Sequence, residues 1–157
     1  MRKITNLFIS LFYSGYFKNY PGTFGTFISI LILFPIKKYN ILSFEIFIVF
    51  FILIFFLSLF FISKYSFYTK SHDSGIIVID EFLGIYLIII FYDFIIVYND
   101  IITIILVFIL FRFFDITKIF PANIIDKKIN NAFGVLLDDL IAGVYTITTL
   151  YILNVYN

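Results

Sequence analysis

The chain has 157 residues, of which 62% are hydrophobic, 23% aromatic and 13% charged, with a mean hydropathy of +1.09. A soluble domain carries about 25% charged residues, so this composition excludes intrinsic disorder and predicts one domain over residues 1–157 with lipid rather than water as its solvent. A net charge of +1 without a cationic block excludes a basic nucleic-acid binder, and the lack of Cys excludes disulfides, thiolate catalysis and Cys-based zinc.

Taken in chain order, Arg2-Lys3 precedes a short apolar stretch, Leu7–Tyr13, broken by Ser10. Without a small-x-small cleavage pattern this stretch reads as an interfacial first helix, not a removed leader. Charges then divide the chain into apolar segments. Eighteen uncharged residues lie between Lys18 and Lys37, eighteen between Glu45 and Lys64, and eighteen follow Asp139. Between Glu81 and Arg112 lie 30 residues interrupted only by Asp93 and Asp100, with Asn99-Asp100 as the tip of a helical hairpin whose arms fall near Phe82–Tyr98 and Ile101–Phe114. A bilayer core needs about 20 apolar residues per helix. Unpaired backbone in lipid leaves only helices or a closed barrel, and these continuous runs lack the alternation of barrel strands. The predicted fold is all-α, a multi-helix integral membrane bundle with about five membrane-embedded helices.

Lys and Arg in short loops set the orientation. Arg2, Lys3 and Lys18, then Lys64 and Lys70, then Lys118, Lys127 and Lys128 fall on one side of a five-span chain, which predicts a cytoplasmic N-terminus. Lys37 and Lys38 dissent, because the same topology puts them outside.

Most of the acidic residues are gathered into short islands, and an ionisable group at a membrane helix needs a function or a partner. The first island, Lys18 to Thr26, places Pro21, Gly22, Thr23, Gly25 and Thr26 at a helix start, where hydroxyls and free N–H groups suit an anion; an ordinary cap explains the same residues. The second runs His72-Asp73-Ser74-Gly75 and then Asp80-Glu81 with Gly84, whose bare face invites another backbone. The lone His72 reads as a loop residue or as a partner of the acids, and a single His excludes a multi-histidine metal site. In the third island, Arg112, Asp115 and Lys118 share one helical face. Pro121 and Asp126 follow, then Asp138-Asp139 between Gly134 and Gly143.

The five-span topology puts all three islands on one side, so that Asp80, Glu81, Asp115, Asp138 and Asp139 converge at helix ends. Five anions need cations. Oxygen ligands favour a hard metal, and Mg²⁺ commonly joins carboxylates to a substrate phosphate, with Arg112, Lys118 and Lys18 available to phosphate directly. The substrate this implies is a phosphate-bearing molecule at the membrane surface, namely a lipid.

The strings PGTFGT, HDSG, DEFLG, FRFFDITK with Pro121 following, and GVLLDDLIAG resemble phosphatidylglycerophosphatase A, a family of bacterial membrane lipid phosphatases, from about Tyr20 to Val144. Where the family usually has Lys-Pro, this chain has Lys118-Ile119. The resemblance implies an all-helical fold and Mg²⁺-dependent hydrolysis of phosphatidylglycerophosphate to phosphatidylglycerol and phosphate in phospholipid biosynthesis. It also implies a multi-pass protein of the bacterial inner membrane with its active site facing the cytoplasm, working on membrane lipids without nucleic acid or an obligate protein partner. The roles that follow are Asp80, Glu81, Asp138 and Asp139 as ligands of one or two Mg²⁺ ions, and Asp115 as a further ligand or the group orienting water. Arg112 and Lys118 stabilise developing charge, and Thr23 and Thr26 form an auxiliary phosphate site. Direct attack by water and a covalent aspartyl-phosphate both fit. A small ion-coupled transporter is the alternative function. It calls for carboxylates near mid-membrane, where Asp93 is the sole candidate.

Overall fold

The computed structural model describes residues 2–69 and 74–156, so Lys70, His72 and Asp73 lie outside the described residues. Helix α1 (Arg2–Ile9) is followed by a 3-10 turn at Ser14–Tyr16, then α2 (Pro21–Lys38), α3 (Phe44–Thr69), α4 (Ile79–Ile90), α5 (Asp100–Thr117), α6 (Ala122–Lys128) and α7 (Ala132–Val155). The chain is all-α, with no strand among the described residues. Local chemistry accounts for the boundaries. Pro21 opens α2, where its missing N–H costs nothing. Asn99 and Asn131 cap α5 and α7 by accepting hydrogen bonds from the backbone N–H groups of Ile102, and of Phe133 and Gly134. Lys118 ends α5 in a left-handed conformation, its N–H donating to the Phe114 carbonyl at 3.0 Å.

Side-chain contacts fix the direction of each helix. The start of α2 meets the start of α4 at Gly22 and Glu81, while Lys37 at its other end pairs with Asp93 at 2.7 Å and Lys38 with Asp100. The Tyr86 hydroxyl donates to the Phe47 carbonyl near the start of α3, and Tyr65 near its end reaches Ser74. Asn154, late in α7, donates to the Phe94 carbonyl. Thus α2, α4 and α7 run one way between two polar ends, and α3 and α5 run back. Lys37 and Lys38, the cations that dissent from the charge rule, stand at the far end with Asp93 and Asp100 as partners. Hydrogen bonds from Lys38 and Tyr92 hold the Asp100 carboxyl below its ordinary value.

Helix α4 is the centre of the bundle, buried along its length except at Leu87 and wedged between α7 and α2. Beyond its acidic first turn the helix is apolar on every side, which suits that place. Close approach to α7 depends on glycine. A Cβ on Gly84 would stand 2.6 Å from the Phe111 ring and 3.0 Å from the Asp139 carbonyl oxygen, and one on Gly143 would stand 3.0 Å from the Gly84 carbonyl oxygen.

The expectation of five membrane-embedded helices needs correction. Among the described residues two helices, Phe44–Thr69 and Ala132–Val155, are by length and composition long and apolar enough to cross a bilayer. The 12 residues of α4 extend about 18 Å at 1.5 Å per residue, short of a hydrocarbon core. The helix gives way after Ile90 to a 3-10 turn at Tyr92–Phe94, so the predicted arm Phe82–Tyr98 is not one helix. Helix α5 carries Asp100, Arg112 and Asp115, and α2 has a polar first turn and ends in two lysines. The short helix α6, between the third island's two halves, has no counterpart in the sequence reading.

Candidate functional site

At the end of the bundle shared by the starts of α2, α4 and α7 and the end of α5 lies a pocket of about 420 Å³. Asp80, Glu81, Arg112, Asp115, Lys118, Asp138 and Asp139 all line it, alongside Tyr20, Gly22 and Asn130. Seven of the nine predicted site residues therefore come together from three helices and the turn that closes α5.

Three of the acids form a tighter set. Asp80, Glu81 and Asp139 are buried, and each offers one carboxylate oxygen within 4.8 Å of the others'. Within the set, Glu81 Oε2 and Asp139 Oδ1 are buried without a hydrogen-bond partner. A buried carboxylate oxygen left without a donor is costly, and here two such atoms lie in one set of three acids. Burial pushes the Asp80 carboxyl up to about 6. Burial and then the adjacent Asp80 charge lift Glu81 well above the ordinary carboxylate range. A cation held by the three would remove both the desolvation and the mutual repulsion. The donor set is oxygen-only and suits a hard divalent ion.

The cations stand around this set. Arg112 Nη1 donates to Asp115 Oδ2 at 2.5 Å and lies 3.5 Å from Glu81 Oε1, while Arg112 Nε is buried with no partner. Lys118 does not complete a ladder with Asp115, because α5 ends beneath it. Its left-handed backbone instead carries the ammonium to Asp138 at 2.8 Å. Asp138, predicted beside Asp139 as a metal ligand, thus lines the pocket as the partner of Lys118. Adjacent helical residues point about 100° apart, and Asp138 and Asp139 here face different partners.

The predicted auxiliary phosphate site is not brought to the pocket. Thr26 is fully buried and its hydroxyl donates to the Gly22 carbonyl at 2.9 Å, a bond within its own helix. Thr23 lines a neighbouring apolar groove, and Lys18 is exposed. What the first island contributes is Tyr20, Pro21 and above all Gly22. A Cβ there would stand 2.1 Å from Glu81 Oε1 and 3.1 Å from Arg112 Nη1, so the bare backbone of α2 forms a wall of the acid site. Sequence reading also passed over Tyr20 and Asn130. The available signal was position, Tyr20 just before Pro21 and Asn130 just before the α7 cap.

A family model described as PgpA: Phosphatidylglycerophosphatase A matches residues 7–154. A Haemophilus influenzae protein named Phosphatidylglycerophosphatase A is 32% identical over 149 residues, covering 89% of this chain and 82% of that protein. An Escherichia coli protein of the same name is 31% identical over 83 residues, 53% of this chain and 46% of its own. No solved structure matches. The family match reaches beyond the Tyr20–Val144 stretch in which the motifs lie, from α1 to the last turn of α7, and on that extent the chain belongs to the phosphatidylglycerophosphatase A family.

Proposed function

We propose that the protein is a Mg²⁺-dependent phosphatase, a phosphoric monoester hydrolase that converts phosphatidylglycerophosphate to phosphatidylglycerol and phosphate. Family membership gives the reaction class. The observation that carries the reading to these residues is the buried trio Asp80, Glu81 and Asp139, with two unpartnered carboxylate oxygens, set beside Arg112 and Lys118 in one pocket.

In this reading Asp80, Glu81 and Asp139 hold the divalent ion. When bound, the ion supplies charge neutralisation on the phosphoryl oxygens and lowers the pKa of water. Arg112 and Lys118 face the same space and bind the remaining phosphate oxygens, each trading part of its hold on Asp115 or Asp138 for the substrate. Asp115 lies outside the trio and is the group that orients the attacking water and takes its proton. Water oxygen bonds to phosphorus, the ester P–O bond breaks, and the departing glycerol oxygen takes a proton from solvent at the open pocket. Reductive trapping of an acyl phosphate on an Asp side chain with borohydride during turnover would replace this route with an aspartyl-phosphate.

The exposed surface supports placing the bundle in a bilayer. Exposed tyrosines stand at two levels, Tyr13, Tyr16, Tyr20 and Tyr68 at the pocket end and Tyr39, Tyr98 and Tyr156 at the far end. Between them the outward face of α3 presents Val49, Phe50, Leu53, Phe56 and Phe60. Such paired aromatic levels mark the two interfaces of a membrane. The reading places the pocket at the inner leaflet of the bacterial cytoplasmic membrane, facing the cytoplasm, with residues 1–157 as one catalytic unit. Carboxylates gathered at the bundle's end also suit surface chemistry better than ion transport.

Phosphate release from detergent-solubilised protein tests the proposal, using phosphatidylglycerophosphate and a panel of other lipid phosphates, with Mg²⁺ or with chelator. Activity on phosphatidylglycerophosphate that chelator removes is expected. Asp139→Asn should lower it by at least about 100-fold, since even residues that only orient metal ligands are worth about 10–100-fold. Near-normal activity in the inserted variant would refute the ligand role.

A further inference from the structure

Beside the polar pocket, along α2, lies a mostly apolar groove of about 290 Å³ lined by Phe17, Asn19, Tyr20, Thr23, Phe24, Phe27 and the α5 residue Phe108. No charged side chain lines it. The rings of Phe17 and Phe24 stack at 4.6 Å with an interplanar angle of 17°, making one wall. Phe27 and Phe17 are each about half exposed, and Tyr20 is 80% exposed. Tyr20 lines both the groove and the acid pocket. Its left-handed backbone, φ 59°, turns the chain into α2 at the border between them; that conformation is uncommon for a bulky residue and costs energy. After Tyr20 the chain offers Pro21 and Gly22 to the acid pocket and then Thr23 and Phe24 to the groove.

We propose that this groove holds an acyl chain of the same phospholipid whose terminal phosphate occupies the pocket, with Tyr20 as the sill that the lipid crosses. The inference rests on the lipid phosphatase reading above. Two features commit it to that occupant. The two spaces share Tyr20 as a wall, and their linings change from charged to wholly uncharged over a single turn of α2, which is the polarity profile of a phospholipid leaving its headgroup. Aromatic and apolar walls with few polar groups are what an alkyl chain requires. Phe24 and Phe27 lie along one α2 face at a spacing of three residues, so the groove runs with the helix and toward the apolar middle of the bundle.

Photolabelling separates this from general contact with lipid. The full-length protein in nanodiscs is exposed to a non-hydrolysable phosphonate analogue of phosphatidylglycerophosphate carrying a diazirine in the upper part of one acyl chain. The comparison lipid is phosphatidylglycerol with the same diazirine chain. Labelling of the Phe17–Phe27 peptide and of Phe108 by the phosphonate lipid, exceeding that by phosphatidylglycerol, is expected, together with equal labelling of the outward face of α3 by both. Phe27→Trp, which fills the groove, should remove the phosphonate-dependent labelling and leave the α3 labelling in place. Equal labelling of the groove by both lipids, or labelling that survives Phe27→Trp, overturns the proposal. Because no turnover is needed, a protein that labels as expected but releases no phosphate would overturn the phosphatase reading and leave the groove assignment standing.

Discussion

Gly22 shows how a residue without a side chain takes part in a charged site. Its missing Cβ leaves room for Glu81 Oε1, the far end of a flexible side chain, so a methyl group there displaces the carboxylate rather than the helix. Gly22→Ala is therefore expected to lower phosphate release by about tenfold or more, given how steeply catalysis depends on ångström-scale placement. The apparent unfolding temperature in detergent should stay close to wild type, and a large drop in it would reassign Gly22 to packing. The acid doublets themselves were legible from the sequence, because carboxylates beside long apolar runs need a reason. Their division of labour was not. Glu81 reaches the trio from the position next to Asp80 because it has one more methylene, whereas Asp138 turns to Lys118, and that ammonium is placed by a left-handed turn that spacing alone does not reveal.

Between elements, the contact that sets the site is the crossing of α4 and α7. Asp80 and Glu81 lie one turn before Gly84, and Asp139 one turn before Gly143, so the two glycines bring the helices close and the acids are carried together. Gly84 was readable in advance as a point of close approach, since small residues let membrane helices pack. A methyl at Gly84 meets the Phe111 ring and a backbone oxygen that cannot swing away, while one at Gly143 meets a single backbone oxygen at 3.0 Å. Overpacking of this kind costs about 1–3 kcal/mol, so Gly84→Ala should lower the unfolding midpoint in detergent more than Gly143→Ala does. Equal midpoints for both variants and wild type would show that the helices are free to separate. Helix lengths were harder to read, because the apolar run after Glu81 gives no sign that α4 stops at Ile90. That stop coincides with the far-end contacts of Tyr92 with Asp100, at the start of the next helix, and of Asp93 with Lys37, which is distant in sequence.

For the whole molecule, the two polar ends define an axis that experiment can set against a membrane. The chain has no Cys, so single cysteines report without background. Tyr39, beside Lys38 at the far end, and Phe120, beyond Lys118 at the pocket end, are both exposed. In intact cells a membrane-impermeant maleimide should label Tyr39→Cys and not Phe120→Cys, with the pattern reversed in inside-out vesicles. Labelling of both from one side would end the reading of a bundle that spans the bilayer with its pocket on the cytoplasmic face. Lys37 and Lys38, at the end that the charge rule assigns to the outside, are held there by Asp93 and Asp100.

Composition and the positions of the charges determined by themselves that this chain is helical and apolar, that its acids lie at helix ends, and that its motifs are those of one family, because these properties depend on the kinds of residue and their order. Only the tertiary structure decided which carboxylates share a pocket, which are neutralised by Arg112 and Lys118, and which threonines turn away. Those outcomes depend on helix direction, crossing distance and where each helix stops, and such quantities are set by packing between segments far apart in the chain.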